Sequence, residues 1–247
     1  MRVFLLDKSY DGSPFYALRA RERSYLEKVL RLEEGTTFTA KDREEHYYKA
    51  IILGDGTLSL EPTDNPEDTF LDNLSGYSGP FAPITIFVSI LKGKKNESVV
   101  RALTEIGVKR IVFVQTEFVQ EKDFSAHQRE RLEVILKEAV QQCGGKTPSL
   151  EGPVSFEEAL EMADGTSILL HQSTLGSTKC LSDVFKDYTN LKKEIFCFIG
   201  PEGGFSDKEC EKAEEMGIIP VLLNTNILRA ETASVYTAAA IQALVQN

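Results

Sequence analysis

The sequence predicts an α/β fold in two parts: a small N-terminal β-barrel with one inserted helix, then a larger domain built on a parallel sheet. Three observations carry this. Through Leu60, short segments rich in Thr, Tyr and Ile alternate with turn residues, as strands do. From Ile84 onward, continuous apolar runs alternate with helical stripes, as expected of strands buried on both faces of a parallel sheet. Between them, residues 62–83 are rich in Pro, Asp, Asn, Ser and Gly and end in Gly79-Pro80-Phe81-Ala82-Pro83, a composition poor at forming elements. The domains expected are therefore 1–72, a linker over 73–83, and 84–247.

Taken in order, Arg2–Leu6 reads as the first strand. A short helical pattern follows at Tyr25-Leu26 and Val29-Leu30, carrying Arg19, Arg21, Arg23, Lys28 and Arg31. Thr36–Ala40 and Tyr47–Leu53 are the next strands, and Gly54-Asp55-Gly56 turns the chain into Thr57–Leu60. In the second part the strands are Ile84–Ile90, Ile111–Val114, Ser167–Leu170, Ile195–Ile199 and Pro220–Leu223. A helix over Gln128–Cys143 shows Leu132, Ile135, Leu136 and Ala139 on one stripe. An Ala-rich helix runs to the C-terminus, with Val235, Ala239 and Leu244 expected in the core.

Composition narrows the classes of function. No run approaches the roughly 20 apolar residues of a membrane span. The apolar start Val3–Leu6 is too short for a signal peptide, so a cytoplasmic protein is expected. Cys143, Cys180, Cys197 and Cys210 are scattered and form no Cys-x-x-Cys pair, and His46, His127 and His171 lie far apart; no metal site or disulfide framework is expected. The net charge of −10 argues against indiscriminate nucleic-acid binding but leaves room for a local basic patch. One is present, at Lys92, Lys94, Lys95, Arg101, Lys109 and Arg110, against only Glu97 and Glu105.

Ligands of open α/β sheets collect at the carboxyl ends of the strands. Two strand ends here are unusual. After Ile199 comes Gly200-Pro201-Glu202-Gly203-Gly204-Phe205, whose glycines leave backbone amides uncovered and permit positive φ. Ser206-x-x-Glu209 then forms a capping box that starts a helix, and Gly217 supplies its C-terminal stop. The turn is neither a P-loop nor a dinucleotide fingerprint. Glu202 within it gains nothing obvious for folding. The second strand end runs Leu223-Asn224-Thr225-Asn226-Ile227-Leu228-Arg229-Ala230-Glu231 into the last helix. A cation such as Arg229 opposes the helix dipole there and calls for a specific partner.

Together, Ile199–Ser206 and the later Ile227-Leu228-Arg229-x-Glu231-Thr232-Ala233 resemble the RsmE family, SPOUT methyltransferases that modify nitrogen-3 of a uridine in small-subunit rRNA. Val29-Leu30-Arg31-Leu32, Lys92-Gly93 and Thr104-Glu105-x-Gly107-Val108 extend the resemblance across essentially the whole chain. Three places depart from the family pattern: Ser24-Tyr25, Ala102–Gly107 at its first residue, and Gly144-Gly145-Lys146. All lie outside the two C-terminal motifs, so they bear on RNA contacts more than on chemistry.

The resemblance implies a PUA-like RNA-binding barrel, a C-terminal domain with a deep trefoil knot, and a homodimer. It implies S-adenosylmethionine held by Leu170, His171, Gly200, Gly203, Gly204, Leu223, Asn224, Ile227 and Leu228, with no metal. Arg229 would stabilise the uridine anion, and Glu202 or Glu231 would accept the proton or orient the base. Arg31, Lys28, Lys92, Lys94, Lys95 and Arg101 would contact RNA, the partner being 16S rRNA or the small subunit. Another RNA such as tRNA, or a non-catalytic RNA-binding assembly factor of the same fold, are the alternatives.

Overall fold

The computed structural model describes residues 3–64, 83–171, 178–186 and 194–245. They group into two compact units, Met1–Gly79 with Val140–Gly144, and Pro80–Ala139 with Gly145–Asn247. The expected linker, 73–83, lies outside the described residues except for Pro83, as do residues 65–72 of the expected barrel.

In the first unit, β1 (Phe4–Leu5), β2 (Phe15–Ala17), β3 (Thr37–Lys41), β4 (Tyr47–Ile52) and β5 (Thr57–Thr63) form one sheet in the order β1-β3-β4-β5-β2. Alternation sets its core. Tyr48, Ala50 and Ile52 of β4 and Leu58 and Leu60 of β5 are buried on one face with Phe4, Tyr16 and Leu26. Gly56, at φ +84°, makes the turn into β5. The predicted helix is α1 (Ala20–Ser24), which widens into a π-helical turn over Tyr25–Val29 closed by a Leu30 N–H to Tyr25 carbonyl bond of 3.0 Å. That wider turn breaks the 3.6-residue period. Leu26 is buried, whereas Val29, expected on the same apolar face, is exposed.

In the second unit, seven strands form an all-parallel sheet. They are β6 (Ile84–Ser89), β7 (Arg110–Gln115), β8 (Ser149–Ser155), β9 (Thr166–Leu170), β10 (Lys179–Cys180), β11 (Ile195–Ile199) and β12 (Ile219–Leu222), in the order β10-β12-β9-β11-β6-β7-β8. Every residue of β6 and β11 is buried, as continuous apolar strands at the centre of a covered sheet must be. On one face, Phe87, Phe196 and Phe198 pack against Phe156 and Leu160 of α4 (Phe156–Glu161) and Cys210 and Ala213 of α6 (Asp207–Glu215). Elsewhere α2 (Lys95–Ile106) packs against α7 (Ala230–Val245), which also contacts β6 and β11. Among the described residues the remaining helices are α3 (Ala126–Cys143) and α5 (Leu181–Phe185).

Three strands were not predicted: β2, β8 and β10. β8 contains Gly152-Pro153, which reads as a breaker, but it lies at the sheet edge, where proline is tolerated. β2 and β10 are too short to show a period. The C-terminal helix corrects another expectation. Its buried residues are Ala230, Ala233, Ser234, Thr237, Ala238, Ile241 and Val245, whereas Ala239 is exposed and Val235 and Leu244 are only partly covered.

All four cysteines are free thiols. Burial pushes the Cys197 thiol far up and, with Glu209 nearby, raises Cys210 to about 11, so both stay protonated and inert. The histidine count did not anticipate that Asp42, Glu44 and His46 bring potential ligand atoms within 4.8 Å of one another. Asp42 is already engaged there by His46 Nδ1 at 2.9 Å and Tyr48. Among the described residues, no helix is long and apolar enough to cross a membrane.

Candidate functional site

Because the strands are parallel, their carboxyl ends share one edge of the sheet. Along it the neighbours run β12, β9, β11, β6, β7, so five strand ends that are distant in sequence lie side by side. The ends of β12, β9 and β11, with the turn after β11 and the segment after β12, border a cleft lined by Leu170, His171, Ile199, Gly200, Pro201, Gly204, Val221, Leu223, Ile227 and Leu228, with Ala230 and Ala233 of α7. Seven of the nine predicted cofactor residues are among its lining: Leu170, His171, Gly200, Gly204, Leu223, Ile227 and Leu228. Gly203 and Asn224 are not; Asn224 is exposed, with its Oδ1 3.8 Å from Cys180 Sγ.

The glycine turn is tight. Gly204 donates to the Pro201 carbonyl at 2.9 Å and sits at φ +75°. A Cβ on Gly200 would lie 3.1 Å from the Gly204 carbonyl carbon and 3.2 Å from the Phe205 ring. The turn hands directly into α6 through the predicted capping box: Ser206 N–H donates to Glu209 Oε2 at 2.8 Å, and Ser206 Oγ accepts from Glu209 N–H.

Glu202 points to the other side of the turn. Its carboxylate meets Lys95 Nζ at 2.5 Å and accepts the Lys92 backbone amide, so the turn after β11 is tied to the loop after β6. Burial alone would raise this carboxyl; the Lys95 ammonium and the amides outweigh it and hold it below the ordinary range. Asn96 shapes that loop, accepting Leu91 N–H at 2.9 Å and donating to the Leu91 carbonyl at 2.7 Å while itself buried. Neither the Lys95–Glu202 pair nor Asn96 was legible as part of the site.

At the start of α7, Arg229 is exposed, and among the described residues no carboxylate pairs with it. Its carbonyl accepts Ala233 N–H at 2.8 Å, opening the helix. Two positions on, Glu231 Oε2 is a buried oxygen with no hydrogen-bond partner among the described residues. A carboxylate oxygen removed from water without a donor is costly and sets Glu231 apart from the paired carboxylates nearby.

The sequence matches the family model described as RNA methyltransferase domain over residues 78–242. The chain belongs to this family. Ribosomal RNA small subunit methyltransferase E of Synechocystis is 29% identical to the methyltransferase over 93% of this chain and 73% of its own length. The Bacillus subtilis protein of the same name is 29% identical over 97% and 94%, and Borreliella burgdorferi ribosomal RNA small subunit methyltransferase E 2 is 28% identical over 100% and 99%. These relatives agree with the RsmE resemblance of the motifs. The fold is shared with a ribosomal RNA small subunit methyltransferase E from Neisseria gonorrhoeae, solved bound to S-adenosyl methionine, at TM-score 0.79 and 24% identity over 99% of this chain and 98% of that one. A methyltransferase from Legionella pneumophila solved with SAM gives 0.78 at 24% identity, over 98% and 97%.

The basic residues predicted to meet RNA divide into two classes. Lys28, Arg31, Lys92 and Lys94 of the methyltransferase are exposed, Arg31 at φ +55°. Lys95 and Arg101 are instead engaged within the protein, Lys95 with Glu202 and Arg101 with Glu138 at 3.1 Å. Lys109 and Arg110 share Glu194. The patch is thus less cationic than its sequence suggests.

Proposed function

We propose that this enzyme transfers a methyl group from S-adenosylmethionine to nitrogen-3 of a uridine in the 16S ribosomal RNA of the small subunit. The observation that carries the reading is the convergence of the ends of β9, β11 and β12 on one cleft, with Arg229 and Glu231 flanking the lining residue Ala230 in sequence. The cleft fits the cofactor: apolar side chains and uncovered loop backbone suit an adenine ring, and Gly200, where a Cβ would crowd Gly204 and the Phe205 ring, lets the lining turn close tightly. S-adenosylmethionine supplies a methyl group on a sulfonium. Uridine nitrogen-3 is a weak acid that must lose its proton to react. Arg229, an exposed cation with no carboxylate partner among the described residues, stabilises the anion that forms. Glu231 is assigned the proton, because no donor among the described residues holds its Oε2 whereas Lys95 holds Glu202. Glu202 holds the turn, since Lys95 has already claimed it and made it a weaker base.

The same reading assigns residues 1–72 to a PUA-like barrel that holds RNA, 73–83 to a linker and 84–247 to a SPOUT domain with a deep trefoil knot. Support for the knot is that β12, later in the chain than β9 and β10, lies between them. A cytoplasmic homodimer completes the assignment. Its support is the stripe Thr232, Tyr236, Ala239 and Ala243, exposed at helical spacing on a helix whose other residues are buried or partly covered.

The test is methyl transfer from labelled S-adenosylmethionine to small subunits from a strain lacking this gene, with the modified nucleoside identified by mass spectrometry. Recovery of 3-methyluridine is expected. Transfer to tRNA instead would keep the cofactor and overturn the substrate; no cofactor binding and no transfer to any RNA would leave a binding protein.

A further inference from the structure

The carboxyl edge of the sheet carries one more feature, on the side of the glycine turn away from the cleft. The turn after β7 runs Thr116-Glu117-Phe118-Val119, and its Phe118 ring is 50% exposed. Its neighbour Val119 is buried, so the chain has the means to cover an apolar group here and leaves Phe118 outside. A single exposed aromatic is ordinary on a protein surface, so what distinguishes Phe118 is its setting.

Phe118 is also held still. Glu117 N–H donates to Glu209 Oε1 at 2.8 Å, while the other oxygen of that carboxylate caps α6 at Ser206. Thr116 Oγ1 bonds Ser89 Oγ at 3.2 Å, and Ser89 Oγ donates to the Ile199 carbonyl at 3.1 Å. The turn after β7 is therefore pinned to both ends of the glycine turn after β11. Gly203 completes the contact: a Cβ there would stand 3.2 Å from Phe118 Cβ, so its bareness makes room for the aromatic residue. Next to Gly203 in the chain is Glu202, paired with Lys95, and the segment that leads into Lys95 carries the exposed Lys92 and Lys94.

We propose that Phe118 is a stacking platform for an unstacked nucleobase of the RNA substrate, with Lys92 and Lys94 holding the adjoining phosphates. The inference rests on the RNA methyltransferase reading above and extends it to how the substrate is held. An enzyme acting on a ring atom of a base needs that base or its neighbours out of the stack, and an exposed aromatic face receives such bases without demanding a sequence. Lysines bind the backbone beside it. A rigid turn makes the platform effective, because little ordering is left to occur on binding.

The test replaces Phe118 by Ala, Leu and Tyr in the full chain and measures methyl transfer to small subunits together with S-adenosylmethionine affinity. Phe118→Ala and Phe118→Leu should raise KM for the subunit about 5- to 150-fold, the range for loss of one stacked base, with cofactor Kd unchanged. Phe118→Tyr, which keeps the ring, should stay within about 3-fold of wild type. The chain has no tryptophan, so Phe118→Trp provides a single indole, excited selectively over the tyrosines and quenched when protein-free 16S rRNA is bound. A Leu variant with wild-type KM, or indole fluorescence of Phe118→Trp that stays unquenched with RNA bound by mobility shift, overturns the proposal. Loss of dimer in sedimentation without change in KM also overturns it, and assigns the ring to a second copy. Wild-type protein that binds the cofactor yet methylates no RNA would overturn the functional reading itself, a result separable from failure of the ring alone.

Discussion

Replacing each of the two candidate carboxylates by its amide separates their roles by magnitude. In Glu202→Gln the shape of the side chain and an acceptor for the Lys92 amide remain, and the ion pair with Lys95 is lost. That pair is 2.5 Å long, but its side chains are 31% and 33% exposed. Solvent screening at that exposure leaves it worth about 1 kcal/mol, or roughly 5-fold if all of it served to hold the turn in its active form. Glu231→Gln removes the proposed proton acceptor, and loss of a general base costs about 10²- to 10⁴-fold. The two variants should therefore differ by more than an order of magnitude. Single-turnover methyl transfer to small subunits measures the chemical step, and cofactor titration with thermal melting establishes that each variant is folded and loaded. A Glu202→Gln enzyme slowed beyond 100-fold, with cofactor affinity and melting point intact, would place the proton acceptor at Glu202 and refute the argument from the Lys95 pair.

Arg229→Ala should abolish turnover while leaving cofactor affinity nearly unchanged, by isothermal titration; equal loss of both would make Arg229 a structural residue. Gly200→Ala should weaken cofactor binding, since its Cβ must displace the Gly204 carbonyl carbon or the Phe205 ring, and overpacking of this kind costs about 1–3 kcal/mol in a melt. Glu202 also predicts a pH effect. Its carboxyl is held below the ordinary 4.5, so its stabilisation is present above that value and is lost as pH falls through the lowered one. Wild type should melt above Lys95→Met at pH 7, and the two should converge in acid; a constant gap would remove the ion pair as its cause. RNA affinity should fall steeply between low and high salt, and Lys92→Ala or Lys94→Ala should flatten the slope of log affinity against log salt by about 0.7 each if they contact single strands. Arg101→Ala, which removes a cation already paired with Glu138, should change it less.

Local signals made much of this molecule readable. The all-buried strands β6 and β11 announced themselves as unbroken apolar runs, and the capping box at Ser206 and Glu209 formed as its spacing requires. The two C-terminal motifs led to the cleft because each is contiguous in sequence and each follows a strand. What was hidden depends on strand order, which no local pattern carries. β11 lies between β9 and β6, and this alone sets Glu202 against Lys95, 107 positions earlier in the chain. The same order sets Gly203 against Phe118. Read along the chain, Lys95 belonged to a basic run and Phe118 to a loop without a motif. The C-terminal helix failed for a related reason: an Ala-rich sequence is apolar all round, so its period does not say which stripe faces the sheet. That ambiguity is physical, for a helix whose other stripe carries Thr232, Tyr236 and Ala239 has a second apolar face to satisfy. A surface of that kind on the helix that begins at Arg229 would link pairing of two chains to the position of the residue proposed to hold the reacting anion.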